Sequence, residues 1–471
     1  MTPPLQNAAI AAHRFGLGEP RLDVVGDDPA AWLRKQIGPG DAPLGGPLPT
    51  SLQALAAYTE QKIPVAALLA PASAASSAGA PEFKLREIIT GDLQSRLSTA
   101  LATKRPFAER LVLFWANHFS VSINKGQVRG LAGALEREAI RPNIAGKFET
   151  LLRQASLHPA MVRYLDNNFS SGPHSRVIER QSRKADTEEK RKKRSTGLNE
   201  NLAREIMELH SLGVANGGGT YGPWGGYTQA DVTAFAAVLT GWRAYDPPRS
   251  NEATMFDAGW HEPGPKTIMG KSYPEGPQAL DMVIRDLARH PSTARFIATK
   301  LARHFVADEP PLPLVNKLAK TFEQTGGDLA AVYRTLIDAP EAWEPASRKL
   351  KSPEEFAISS LRVLGMNEPH LVAKVRESML VALGQRPHTA PSPAGWPDKA
   401  DEWLGPDAVW KRVEWSQRQA ERVGDRVDAR ALARASFGPL LTDTTYQQIE
   451  RAADGTQAIV LMLMSPEFQR R

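Results

Sequence analysis

The chain has 471 residues, no cysteine, a formal net charge of +6 and a pI near 9.3. That length suits one large core or two to three domains, and the absent cysteines exclude disulfides and thiolate metal sites. An apolar fraction of 42% and a charged fraction of 23% are those of an ordinary globular protein.

Helical periodicity rich in Ala and Leu dominates the chain, and strand-like alternation is scarce. Met1-Thr2-Pro3-Pro4 is not followed by an apolar signal core, so a cytoplasmic location is expected. No stretch reaches the roughly 18 uninterrupted apolar residues of a membrane span. Asn7–Arg14 reads as a short helix stopped by Gly16, and Asp28-Pro29 opens another. Residues 71–81, rich in Ala, Ser, Pro and Gly, read as flexible.

A long helix follows from Glu82 to Thr103, and Pro106 opens the next. Leu111, Phe114, Trp115 and His118 recur at the spacing of one buried helix face. Between Arg176 and Arg194 nine Lys and Arg residues outnumber four Asp and Glu, which reads as a mobile basic loop over 172–196. No aromatic residue interrupts its basic run, which argues against single-stranded nucleic acid as its partner.

The stretch Gly197–His210 is crowded with carboxylates, amides and one guanidinium. At about 100° per residue, Leu202, Ile206 and Leu209 form an apolar stripe, and Asn201, Glu205 and Glu208 share a neighbouring face. His210 lies nearly opposite Glu205, so one straight helix does not offer both to one ion. A glycine-rich loop leads to a helix that Thr228 caps, with Asp231 in its positive first turn, and that ends near Trp242. Residues 243–274 are the least helical; they suggest short strands at Thr254–Phe256 and Thr267–Met269 joined by a turn that carries His261 and Lys266.

Helices resume from 277 to 383, with Asp328 as an N-cap. Residues 384–405 then break them with Pro387, Pro391, Pro393, Pro397, Trp396 and Trp403. This composition predicts a stiff strap of the kind that wraps a domain or walls a cleft. The expected fold is all-α, a large irregular multi-helix bundle with a short β-hairpin around residues 253–272. Its division is an N-terminal helical segment 1–104 and a main helical domain 105–471, or one domain throughout.

Several segments together resemble a known bacterial family, the domain of unknown function 1800 proteins. They include Leu113–Phe119, Tyr164–Asn167, Leu198–Glu205 with Leu209-His210, and Gly226-Tyr227-Thr228 with Asp231. Others are Leu239–Trp242, His261–Lys266, Lys300–Ala302, Ser352-Pro353, and Gly384-Gln385 through Gly395–Pro397. The resemblance covers nearly the whole chain in order. It implies little about activity; relatives that look exported, beside a sulfatase-like or phosphatase-like protein, imply an exported or periplasmic alternative and such a partner.

Two functions follow from these residues. The first is a hydrolase-like enzyme acting on a glycan or ester in a carboxylate and histidine cleft built around helix 199–212. Asp166, Glu205, His118 and His261 are its catalytic candidates, because two carboxyls in different environments can serve as acid and base. Asn201, Arg204, Lys266, Trp242 and Trp396 are its substrate-binding candidates. No cofactor is called for; a metal alternative uses Glu205 and Glu208, whose i, i+3 spacing suits an oxygen-ligated ion. The second function is a non-catalytic binding or scaffold partner of such a companion protein or of an acidic polysaccharide.

Overall fold

The computed structural model describes residues 3–60, 80–183, 197–213, 226–245, 252–346, 348–366 and 378–471. The basic run Lys190–Arg194, most of the glycine-rich loop, the Ala/Ser/Pro stretch at 71–79 and most of the helix expected at 368–383 lie outside the described residues. The fold is mainly helical, with two small two-stranded sheets among the described residues. No helix there is long and apolar enough to cross a membrane.

Helices begin where the sequence supplies caps. Asp28 accepts from the amide of Ala31, and Asp328 accepts from that of Ala331. Thr228 and Asp231 form a reciprocal capping box at the start of Gln229–Leu239, and Ser352 and Glu355 form another at Pro353–Val363. Pro sits in the first turn of the Pro106–His118, Pro291–Phe305 and Pro353–Val363 helices, where its missing N–H costs nothing. The stretch expected as one helix at 199–212 is α-helical over Asn201–Glu205 and then widens into a π-helical turn, Ile206–Ser211.

Two apolar clusters hold these helices. The larger mixes residues 8–55 with residues 107–342, joining Phe15 and Leu33 to Phe107, Trp115 and Tyr333. The smaller is mostly C-terminal, built from Phe356, Trp415, Phe437 and Phe468, with Leu97 and Leu101 packed into it. The Pro106–His118 helix runs between them: Leu111 and Trp115 belong to the first, Leu113 to the second.

The strands form separate pairs. β1 (Trp242–Ala244) is antiparallel to β2 (Thr254–Phe256), and β3 (Lys266–Ile268) is antiparallel to β4 (Lys271–Tyr273). The short hairpin is therefore β3–β4, turned at Met269 and Gly270, which both have positive φ. The strand at 254–256 pairs back to Trp242–Ala244, just beyond the Gln229–Leu239 helix, instead of forward across the His261 turn.

The Pro/Trp strap is tied at several points. Asn117 donates from Nδ2 to the carbonyl of Trp396 (2.9 Å) and accepts from its amide through Oδ1 (2.8 Å). The amide of Ile123 donates to the carbonyl of His388, and Gln385 accepts from the amide of Glu354, each at 2.9 Å. Trp403 Nε1 donates to the carbonyl of Pro397 at 3.0 Å.

Candidate active site

Beneath the strap lies a cavity of about 420 Å³. Its walls come from the Pro106–His118 helix, the π-helical turn Glu136–Ile140, the Pro291–Phe305 helix and the capped start of Pro353–Val363. The strap closes it with His388, Trp396 and Asp398. On the Pro291–Phe305 helix, Lys300 and His304 stand four residues apart, so they share one face and both reach the cavity.

Most charges on this wall are held by partners behind it. Arg96 pairs with Glu136 and with Glu354, the latter at 2.9 Å. Arg141 holds Glu136 and Glu109 at 2.7 Å each. Burial would raise the Glu136 carboxyl, but Arg96, Arg141 and His388 outweigh it and bring the pKa to about 2. Burial likewise opposes ionisation of Glu355, and Arg471 and Arg110, each 2.7 Å away, hold it well below the usual carboxylate range. The same contest at Asp398 ends at about 2, because His304 and Lys349 face it.

The imidazoles are neutral near pH 7. Burial, with Lys300 nearby, drives His118 well below its ordinary value. His118 is 2% exposed, and its Nε2 lies 3.1 Å from the carbonyl of His210, which can only accept. The proton therefore sits on Nε2, and the Nδ1 lone pair, buried without a partner, is left free. His304 is centred between two carboxylates, with Glu355 Oε1 3.7 Å from Nε2 and Asp398 Oδ1 3.8 Å from Nδ1. Burial lowers its pKa, while Asp398 pulls the other way. His388 is lowered to about 4 by burial and by Arg96, and it holds a left-handed backbone, φ +58°. A positive φ is strained for a non-glycine residue and is common beside functional clefts.

Of the residues expected to form a site, this cavity brings together His118 and Trp396. The others stand elsewhere. Asp166, also at positive φ, pairs with Lys125 at 2.6 Å and accepts from Gln127 at 2.9 Å. Glu205 is half-buried on the Asn201–Glu205 helix; burial and Glu208 push its carboxyl up against the pull of Arg204. Arg204 bridges to Glu200 and Gln229 at 2.9 Å each, and Asn201 is exposed.

His261 and Lys266 form a pair of their own. His261 Nδ1 faces the carbonyl of Thr240 at 2.8 Å, and Nε2 lies 3.3 Å from Lys266 Nζ, which also donates to the carbonyl of Glu262. Trp242 lines a different, more open hollow with His158 and Glu138. Among the described residues no three His, Asp or Glu side chains gather as a metal-holding group, and Glu205 with Glu208 has no third member there.

Lys300, His304, His388 and Asp398 are cavity residues that were not among the sequence's site candidates, although Lys300 stands in a segment that carries the family resemblance. One signal was present: Lys300 and His304 repeat at i, i+4 on a helix opened by Pro291. A strap with four prolines and two tryptophans was the other, and it located one wall without its contents.

The chain belongs to the family described as "Protein of unknown function (DUF1800)", which matches residues 10–470. No curated protein and no solved structure matches it.

Proposed function

Starting from a family to which no reaction is assigned, we propose that this protein is a hydrolase-like enzyme cleaving a glycan or ester bond in the strap cavity. The observation that carries this reading is His118: a neutral imidazole with a fixed tautomer and an unused Nδ1 lone pair, in the wall of the strap cavity. Such a group is suited to general-base work near neutral pH. In the proposed step a water gives its proton to His118 Nδ1 as its oxygen attacks the carbonyl or anomeric carbon. The His118 imidazolium so formed then gives that proton to the leaving oxygen as its bond to the carbon breaks, which returns His118 to its neutral form. The buried indole N–H of Trp396, which has no partner, supports the negative charge that develops.

The test is a panel of nitrophenyl esters and nitrophenyl glycosides with wild type and His118→Gln. The amide of Gln can still donate to the His210 carbonyl but supplies no base. The expected loss of kcat is about 10²- to 10⁴-fold, at nearly unchanged melting temperature. A variant as active as wild type, or a wild type inert on both classes, overturns the reading.

A second reading is favoured by the unlike surroundings of Glu205 and Asp166. Glu205 is pushed up by burial and by Glu208, and Asp166 sits against the Lys125 ammonium. Tyr164 lies between them in the network: its carbonyl accepts from Lys125 Nζ at 2.7 Å, and its hydroxyl is raised by burial and by Glu205. Two carboxyls in unlike surroundings, one half-buried beside a second carboxylate and one against an ammonium, are what an acid–base pair needs. On the same panel, loss of turnover in Asp166→Asn with full activity in His118→Gln selects this reading over the first.

A further inference from the structure

We propose that Lys300 anchors a carboxylate of the ligand, so that the strap cavity takes an acidic unit of sugar size, such as a uronic acid. The inference rests on the cavity assigned above and names the class of molecule it accepts.

The charges of the cavity wall point to it. Arg96 is neutralised by Glu136 and Glu354, Glu355 by Arg110 and Arg471, and Asp398 by Lys349. Glu402, at the rim, is exposed to water. Among the described residues Lys300 alone of the wall's cations has neither an ion pair nor a hydrogen bond. Its ammonium sits 5.5 Å from the centroid of the Phe296 ring, which steadies the side chain without neutralising it.

The titratable groups that Lys300 faces are Asp398, Arg303 and the two neutral imidazoles His118 and His210. Burial and Arg303 outweigh Asp398 and bring the lysine down to about 8. A half-buried cation without a counter-ion is costly, and a ligand anion removes that cost.

A second, independent observation marks the same space as a binding site. His118 Nδ1 and Trp396 Nε1 are both buried and unpartnered in its wall. Together the wall offers one cation, one neutral donor and one neutral acceptor, a set that matches a molecule bearing one carboxylate and several hydroxyls. A volume of about 420 Å³ is within the range of small-ligand sites. Phosphate is disfavoured, because a dianion would meet the ionised Asp398 on the same wall and find a single lysine to balance it.

Calorimetry on the full chain at about pH 8, in two buffers of different ionisation enthalpy, tests this with D-glucuronate, D-glucose and inorganic phosphate. Glucuronate should bind about tenfold or more tightly than glucose or phosphate, the gain of one charge-assisted contact. Its binding should take up protons, since a carboxylate beside Lys300 raises the lysine. Lys300→Met should lose both the preference and the uptake; Lys300→Arg should keep the preference and lose the uptake, because Arg is always charged.

Equal binding of glucose and glucuronate, no glucuronate binding, or a preference that survives in Lys300→Met overturns the anchor. Phosphate binding more tightly than glucuronate overturns the carboxylate. Hydrolysis is read separately on the nitrophenyl panel. A glucuronate preference without any cleavage leaves the anchor and removes the hydrolase, whereas cleavage that is blind to the substrate's charge does the reverse.

Discussion

The strap cavity and the outer face of the Asn201–Ser211 segment carry the same kinds of side chain and treat their charges in opposite ways. In the cavity wall, carboxylates are buried and held ionised by arginines reaching from distant segments, while imidazoles are left neutral with unused nitrogens. On the helix face, Arg204 meets Glu200 four residues away in a half-exposed pair, and Glu205 is pushed up by burial and Glu208 against the pull of Arg204. A helix can assemble the second arrangement from its own sequence. The first requires the whole fold to be in place. It is therefore the cavity whose charges the scaffold has fixed in advance, which is the condition for electrostatic work on a bound molecule.

The largest expected effect follows from that contrast. Arg96→Met strips Glu354 of its guanidinium partner and leaves Glu136 with Arg141 alone, inside the protein. Removing one partner of a buried ion pair typically costs about 3–5 kcal/mol. Arg204→Met removes a pair open to water, which is worth about 0–1 kcal/mol. Urea midpoints measure both; equal losses in the two variants would erase the distinction between the regions.

Gly395→Ala is expected to come next. Gly395 has φ +85°, and an added Cβ would stand 2.4 Å from the carbonyl oxygen of Asn117. Asn117 is the side chain that clamps Trp396 from both sides, so the strap would have to lift. About 1–3 kcal/mol of stability should be lost, together with glucuronate binding, while the Arg204–Glu200 face stays as it was. Retained binding at normal affinity would show that the strap does not shape the cavity.

How much of this could be read from the chain depends on how local each feature is. The capping boxes, the Pro-started helices and the buried face of Leu111, Trp115 and His118 are set by neighbours a few residues apart, and all were legible. So was the strap, whose prolines, glycines and tryptophans restrict the backbone directly. The cavity was not, because its walls meet only in the folded chain: Arg96 and Glu354 are 258 positions apart. Periodicity reports which face of a helix is buried and is silent on what it faces. The strand at 254–256 illustrates the same limit, for its sequence gives no sign that its partner is Trp242–Ala244 and not the strand beyond His261.

The buried histidines of the two regions respond to acid in the same direction. His210 is lowered to about 3 by burial and by Lys300, and His388 to about 4 by burial and Arg96, with Glu136 opposing and Arg137 and Arg386 adding to the effect. Each is neutral in the folded chain at a pH where the unfolded chain binds a proton. Their contribution is fully present above about pH 6.5 and is lost as the pH falls toward 4. Glu136 and Asp398, whose folded values are depressed, add a further loss below about pH 4.5. Melting temperature should thus fall with acid from about pH 6.5 downward, and His388→Asn should flatten that fall between pH 6.5 and 4. An unchanged slope in His388→Asn would mean that this imidazole does not couple to stability.

The smallest effect concerns Glu205, and its sign is the informative part. A carboxyl raised in the folded state holds its proton better there than in the unfolded chain. The stability it contributes is present below the unfolded value near 4.5 and is lost as the pH rises through the folded value. At neutral pH the ionised Glu205 is thus mildly unfavourable, and Glu205→Gln should leave stability unchanged or raise it by up to about 1 kcal/mol. Asp166→Asn removes the 2.6 Å contact with Lys125 and should lower it by a similar small amount. A loss of more than about 2 kcal/mol in Glu205→Gln would mean that the carboxylate supports the fold through its charge. The raised carboxyl on which the second functional reading depends would then have a structural role instead, and the strap cavity would stand as the better supported of the two sites.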